Sequence, residues 1–305
     1  MTSPSLHVLD ADATSNLLDY ADMISDLKQA CMDLEEGRIQ APERQMVEFP
    51  GGGTMLSMPA TARDIGIHKL VNVMRDNPAR NLPTIHGVVA VYDGITGAER
   101  CILHGQTITA RRTAAVSMLG LDMLLPRPPR HVAIVGYGTQ ALSHTQAVAR
   151  LYPDARVTIT GRNLSRADHF VEKNKDIGVK LAAAARIPED ADVVITVTTS
   201  STAFYEQTAT TGRLIVAVGA FRPDMAEISA QTLDGSQLYV DDMVGARTEA
   251  GDLLQASIDW TRVRGIVDAV RHGVDFDRPI VYKTVGCAAW DLAAARTALN
   301  CLQAR

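Results

Sequence analysis

Apolar residues at Leu17, Ala21, Ile24, Leu27, Cys31 and Leu34 recur every three or four positions and stop before Gly37, which predicts one amphipathic helix from Thr14 with a glycine stop. The period then shortens. Residues 46–49, 54–58 and 66–74 predict strands around the Gly51-Gly52-Gly53 turn, and 82–92 with 99–103 predict a hairpin. This first portion reads as α+β with antiparallel pairing. A helix over 106–125 ends at Pro126-Arg127-Pro128-Pro129, which cannot continue it and reads as a domain boundary. Beyond it, residues 131–135, 156–160, 193–197, 214–218 and 237–240 are short β-branched runs, most separated by helical stretches. That alternation predicts a parallel sheet with right-handed crossovers. Residues 286–302 are alanine-rich and helical.

Composition narrows the class. The 305 residues are 46% hydrophobic and 21% charged, with a formal net charge of −5, the profile of a globular chain long enough for two domains. The mild acidity argues against nucleic acid as a partner, because binding its backbone needs clustered cations. No stretch approaches the roughly 18 uninterrupted apolar residues of a membrane helix. Residues 1–10 lack the basic-then-apolar order of a signal peptide, so a cytoplasmic location with no membrane partner is expected. Cys31, Cys101, Cys287 and Cys301 form no Cys-x-x-Cys pair and have no histidine at zinc-finger spacing, which predicts buried free thiols and no metal.

Residues 132–141 run a buried-type strand into Gly136-Tyr137-Gly138-Thr139-Gln140-Ala141 and then into a helix. Such a Gly-x-Gly-x-x-Ala turn brings backbone N–H groups and a helix N-terminus against a pyrophosphate, and only residues without a large side chain allow that approach. A dinucleotide is therefore the expected ligand. At the end of the next strand, where NAD-binding enzymes usually place an acid for the ribose hydroxyls, the chain has Gly161-Arg162-Asn163. An acid would repel a 2′-phosphate whereas a guanidinium pairs with it, so Arg162 favours NADPH, with NADH as the alternative. The segments Thr196-Val197-Thr198-Thr199-Ser200-Ser201 and Val218-Gly219-Ala220 follow later strands, at ends where open α/β sheets bind ligands. Thr198, Val218 and Gly219 are the candidates there.

In the first portion, Arg44, Lys69 and the Arg111-Arg112 pair are cations embedded in apolar text. A single such cation is most often a surface residue with its stem buried, but three together suit an anionic substrate. These cations belong to longer segments: Met58-Pro59-Ala60, Lys69-Leu70-Val71, residues 108–116 with Arg112-Thr113-Ala114-Ala115, Gly136 to Ala141, residues 195–198, 218–224, Gly251-Asp252, and Lys283-Thr284-Val285-Gly286. In order, spacing and content they resemble the ornithine cyclodeaminase/mu-crystallin family over nearly the whole chain. The resemblance implies a doubly wound Rossmann domain (126–283) inserted into an α+β substrate-binding and dimerisation domain (1–125 and 284–305), and a homodimer. It implies that Arg44, Lys69 and Arg112 grip a substrate carboxylate, and that Arg112, Thr113 and Thr284 join Gly136–Ala141, Arg162 and Asn163 around the cofactor.

Two departures sharpen the substrate. Ornithine cyclodeaminases resemble one another in carrying an aspartate where this chain has Phe221 and a glutamate where it has Leu56. With apolar groups in place of acids the resemblance points to the ketimine-reducing branch, which reduces the cyclic imino acids Δ1-pyrroline-2-carboxylate and Δ1-piperideine-2-carboxylate to L-proline and L-pipecolate. Hydride addition to such an imine needs a proton; Lys69, with a lowered pKa, and His86 are the candidate donors, and Thr84 a further substrate contact. Ornithine cyclodeamination with NAD, an opine-type dehydrogenase and a non-catalytic cofactor- or hormone-binding protein are the competing readings.

Overall fold

The computed structural model describes residues 6–304; the first half of the 1–10 stretch read above lies outside the described residues. The chain divides into two compact units, one of residues 1–112 and 287–305, the other of residues 113–286. In sequence the divisions therefore fall at Arg112/Thr113 and Gly286/Cys287, where the reading above had 125/126 and 283/284.

The first unit begins with β1 (His7–Val8), α1 (Ala11–Ser15) and α2 (Tyr20–Glu35). The single helix expected from Thr14 is thus two. The Asp19 carboxylate accepts from Ala21 N–H at 2.8 Å and caps α2, while Leu17 and Leu18, adjacent and both buried, fill the break. Strands β2 (Gln45–Glu48), β3 (Thr54–Thr61), β4 (Ile65–Val73), β5 (Ile85–Asp93) and β6 (Glu99–His104) follow, and α3 (Gly105–Leu124) carries the chain out of the unit. The sheet runs β1-β6-β5-β4-β3-β2, antiparallel except for the β1–β6 edge.

The second unit is an eight-stranded, wholly parallel sheet built from β7 (His131–Val135), α4 (Thr139–Leu151), β8 (Arg156–Thr160), α5 (Leu164–Lys173), β9 (Lys180–Ala184), β10 (Val193–Thr196), β11 (Leu214–Ala217), α6 (Ala230–Asp234), β12 (Gln237–Val240), α7 (Met243–Glu249), α8 (Gly251–Gln255), β13 (Val263–Gly265), α9 (Ile266–His272) and β14 (Ile280–Lys283). Its order is β13-β12-β14-β11-β10-β7-β8-β9. The order reverses between β7 and β10, so the carboxyl ends of those two strands flank the crevice where doubly wound sheets take their ligand. β14, the last strand in sequence, is inserted between β11 and β12.

The chain returns to the first unit in α10 (Ala288–Gln303), which packs on β3, β4 and α2. Residues 288–295 of α10 are all buried, an apolar surface on every side rather than one stripe. All four cysteines are free. Among the described residues no helix is long and apolar enough to cross a membrane, and no group of three His, Cys, Asp or Glu could hold a metal ion.

Candidate active site

In the first unit, strand alternation sorts the candidate residues onto faces. Lys69 on β4 pairs with Met58 on β3 and Val89 on β5, and all three are buried on the side that α10 covers. Arg44 immediately precedes β2, and since Gln45 pairs with Ser57, the same alternation puts Arg44 on the Lys69 side. His86 pairs with Asn72, three residues from Lys69, and therefore lies on the opposite face. The structure does not bring His86 to Lys69. Thr84, half-buried just before β5, accepts the Met74 N–H through its backbone oxygen.

Lys69 meets two residues far away in sequence. Its Nζ donates to Asp291 Oδ2 of α10 at 2.6 Å, and Arg112 Nε of α3 donates to Asp291 Oδ1 at 3.0 Å. Asp291 is fully buried and Lys69 nearly so. Burial acts to raise the Asp291 carboxyl, but the charges of Arg112 and Lys69 outweigh it and hold it below its usual range. Burial lowers the Lys69 ammonium; Asp291 pulls it back up, Arg112 and Arg44 push it down, and it rests at about 8. Two buried cations share one buried carboxylate, so the cluster retains one unbalanced positive charge, and an uncompensated buried charge is costly until an anion joins it. The neighbouring Arg111 does a different job: it donates to Leu18 O and Ser15 Oγ and lies 4.4 Å over the Tyr20 ring, pinning α3 to the N-terminal helices.

Asp291 escaped the sequence reading, although a signal was present. Its neighbours Trp290, Leu292 and the flanking alanines give α10 no polar face in this region. A charge in such a helix is buried and requires a partner.

In the second unit, Gly136 ends β7 with φ +132, and its N–H donates to Thr160 O at 2.8 Å. A Cβ there would lie 2.9 Å from Val197 Cγ2, so both backbone and packing require glycine. Gly138 differs: its φ is −97 and a Cβ would meet nothing within 4 Å. No protein atom demands glycine at 138. It is the N-cap of the 13-residue α4 and offers no capping side chain, so the helix leaves bare N–H groups beside an open cradle. Those features fit a pyrophosphate, with Tyr137, Thr139 and Gln140 in the turn and Ala141 packed beneath it.

Arg162 is exposed at the end of β8. Asn163 caps α5 by accepting the Arg166 N–H at 3.1 Å, and the Arg166 guanidinium lies 5.9 Å from the Tyr137 ring centroid. A second arginine thus stands at the same strand end, one the sequence reading did not single out. Thr198, Val218, Gly219 and Thr284 all follow the carboxyl ends of the central strands β10, β11 and β14. Val218 and Thr284 are buried, Thr113 is half-buried, and Phe221, two residues past Gly219, is 41% exposed.

A family model for ornithine cyclodeaminase/mu-crystallin proteins matches residues 6–304. The chain belongs to that family. It is 47% identical over 298 residues to Δ1-pyrroline-2-carboxylate reductase 2 of Burkholderia ambifaria, covering 97% of this chain and 96% of that one. It is 46% identical over 300 residues to the Δ1-pyrroline-2-carboxylate/Δ1-piperideine-2-carboxylate reductase of Azospirillum brasilense, covering 98% and 96%. Among solved structures the fold matches Thermococcus litoralis Δ1-pyrroline-2-carboxylate reductase in complex with NADH and L-proline, with a TM-score of 0.88 at 24% identity and 98% of both chains covered. The family's Rossmann-type sheet is the parallel sheet of the second unit, inserted into the α+β unit.

Proposed function

We propose that this protein reduces a cyclic imino acid, Δ1-pyrroline-2-carboxylate or Δ1-piperideine-2-carboxylate, to L-proline or L-pipecolate with a nicotinamide dinucleotide. The observation that carries the reading is the Lys69–Asp291–Arg112 cluster, whose single unbalanced charge is the complement of one carboxylate. Arg112 gives Nε to Asp291, which leaves the Nη1–Nη2 edge of its guanidinium for a bidentate carboxylate contact, and Arg44 adds charge from the same sheet face. The relatives named for this reaction, similar over nearly their full lengths, support the same substrate class.

Bound over the Gly136–Ala141 turn, a reduced dinucleotide supplies the hydride. The chain's own residues supply the rest: Arg44, Lys69 and Arg112 orient the carboxylate, and Lys69 delivers the proton to the imine nitrogen. Lys69 is preferred to His86 because it stands in the cation cluster and at about 8 its ammonium gives up a proton near neutral pH, while His86 is on the other face of the sheet. Thr84 belongs to the strand entry next to His86 and is not assigned a role. Phe221, with Leu56 of β3, replaces the acids a diamine substrate would need. Arg162, with Arg166 beside it, favours NADPH through the 2′-phosphate. The subunit forms a homodimer through the uncovered face of the six-stranded sheet, and its place of work is the cytoplasm.

The test is an NADPH-oxidation assay with both cyclic imines. Turnover of at least one is expected, and Arg162→Ala should cut kcat/KM for NADPH about tenfold while sparing NADH. No turnover of either imine with either dinucleotide sinks the reading; an NADPH/NADH ratio untouched by Arg162→Ala removes the cofactor preference alone.

A further inference from the structure

Three family segments remain without a role: Thr196-Val197-Thr198, Gly251-Asp252 and the Lys283 end of β14. They converge on one buried carboxylate. Glu227 is fully buried. Its Oε1 accepts Thr198 N–H at 2.7 Å and Thr198 Oγ1–H at 2.7 Å; its Oε2 accepts Thr196 Oγ1–H at 2.8 Å and Gly219 N–H at 2.7 Å. Four donors on two oxygens suit the ionised form; a neutral acid would keep all four contacts only by turning one threonine hydroxyl from donor to acceptor. Burial, joined by the nearby Asp252 charge, raises this carboxyl above its usual range, against the opposing pull of the Lys283 charge and the Thr198 hydrogen bonds.

A second acid holds the first. Asp252 Oδ1 accepts the backbone N–H groups of Glu227 at 2.5 Å and Ile228 at 2.9 Å, and its Oδ2 forms an ion pair with Lys283 Nζ at 3.0 Å. Lys283 also donates to Ala217 O of β11 at 3.2 Å. The glycines make room. A Cβ on Gly219 would collide with Thr198 and with the Glu227 carboxylate, and one on Gly251 would collide with the carbonyl oxygens of Arg222 and Met225, in the loop that carries Phe221.

The hydroxyls of Thr196 and Thr198 are therefore not free to donate to a ligand. Thr196 and Thr198 both spend their hydroxyl hydrogens on Glu227. What remains at the ends of β10 and β11 is backbone, locked at both strands by one carboxylate.

We infer that Glu227 is a positioning residue: with Asp252 and Lys283 behind it, it fixes the Thr198 and Gly219 backbone that receives the nicotinamide half of the dinucleotide. The inference rests on the reading that these strand ends take the nicotinamide. Replacing Glu227 by glutamine keeps the shape but turns an NH2 toward one backbone N–H and one threonine hydroxyl, so that N–H loses its acceptor and the hydroxyl must turn from donor to acceptor.

The experiment compares two ligands by fluorescence or calorimetric titration: NADPH, and the 2′-phosphate of ADP-ribose, which is the same molecule without its nicotinamide. For Glu227→Gln, affinity for NADPH should fall about tenfold while affinity for the truncated ligand stays within about twofold. A merely structural defect would weaken both alike. In parallel, nuclear Overhauser contacts from nicotinamide protons to the Thr198 and Val218 methyl groups are read in the unaltered protein. Contacts present there, with NADPH affinity unchanged in Glu227→Gln, overturn the positioning role alone. Contacts absent there sink the site reading and the inference with it. If Glu227→Gln does not fold, Asp252→Asn, which can keep the oxygen that accepts the two backbone N–H groups but turns an NH2 in place of a charge toward Lys283, is expected to show the same ligand-selective loss to a smaller degree, and equal losses for both ligands overturn the role.

Discussion

At the scale of single residues, the site depends on one aspartate that serves two cations. Asp291 raises the Lys69 ammonium and lies on Arg112, so removing its charge leaves Lys69 with the burial and the repulsion of Arg112 and Arg44. The sign follows: the Lys69 pKa falls further below about 8. For a proton donor that must be charged before it acts, the alkaline limb of kcat/KM should then move to lower pH. Asp291→Asn is expected to shift that limb by about one unit or more and to lower stability by roughly 3 kcal/mol, the usual scale for breaking a buried pair. A pH–rate profile superimposable on that of the parent would exclude Lys69 as the titrating group. The cations Arg44, Lys69 and Arg112 were legible because charge inside apolar text stands out. Asp291 was passed over although legible in principle: a lone acid between Trp290 and Leu292 in an alanine-rich helix without a polar face marks a buried charge in need of a partner.

At the scale of elements, β-branched runs marked β7, β8, β10, β11 and β12, and alternation marked the antiparallel strands. β9, Lys-Leu-Ala-Ala-Ala, carries no β-branched residue and is a strand only because β8 pairs with it. β14 was missed although Ile280-Val281-Tyr282 is itself a β-branched and aromatic run; what no local pattern records is its place between β11 and β12, which is set by a crossover. Helix packing hides a further feature. His144 of α4 is fully buried; its Nδ1 faces Gln140 O at 2.7 Å and so carries the hydrogen, and its Nε2 accepts from Ser117 Oγ of α3 at 2.8 Å. Burial lowers its pKa to about 4 from 6.5. The folded state thus refuses a proton that the unfolded chain takes up below 6.5, so stability is lost as pH falls from about 6.5 to about 4 and is level below that for this group. The loss is of order 3 kcal/mol. Denaturant unfolding of the parent and of His144→Gln at pH 7 and pH 4.5 measures it. The gap between the two proteins should shrink on acidification, and parallel losses would remove His144 as the cause.

At the scale of the whole molecule, the six-stranded sheet presents two unlike faces. Alternation puts Lys69, Val71 and Val89 on the side packed by α10, while Val8, Val47 and Val88 share the other side and are 73%, 62% and 43% exposed. Cross-strand pairing sets Leu70 beside Val88 and Met55 beside Val47, with Ser57, His68, Asn72 and His86 on the same side, so the exposed valines share a face of mixed apolar and polar groups. A single exposed valine means little, but several large apolar side chains exposed on one sheet face suit an association surface. A two-fold pairing of like sheets would bring this face of one subunit against the same face of another. This is the basis for placing the proposed homodimer contact on that face, and for removing His86, which lies there, from the proposed chemistry. Val88 sits near the middle of the row, where Val88→Glu would place an unpaired carboxylate in each half of a two-fold contact. Burial of such a charge is prohibitive unless the interface opens. Sedimentation should therefore find the parent dimeric and Val88→Glu monomeric, with circular dichroism unchanged because the side chain is outside the core. A variant that remains dimeric at micromolar concentration would place the contact on another surface, and would return His86 to consideration as a solvent-accessible group.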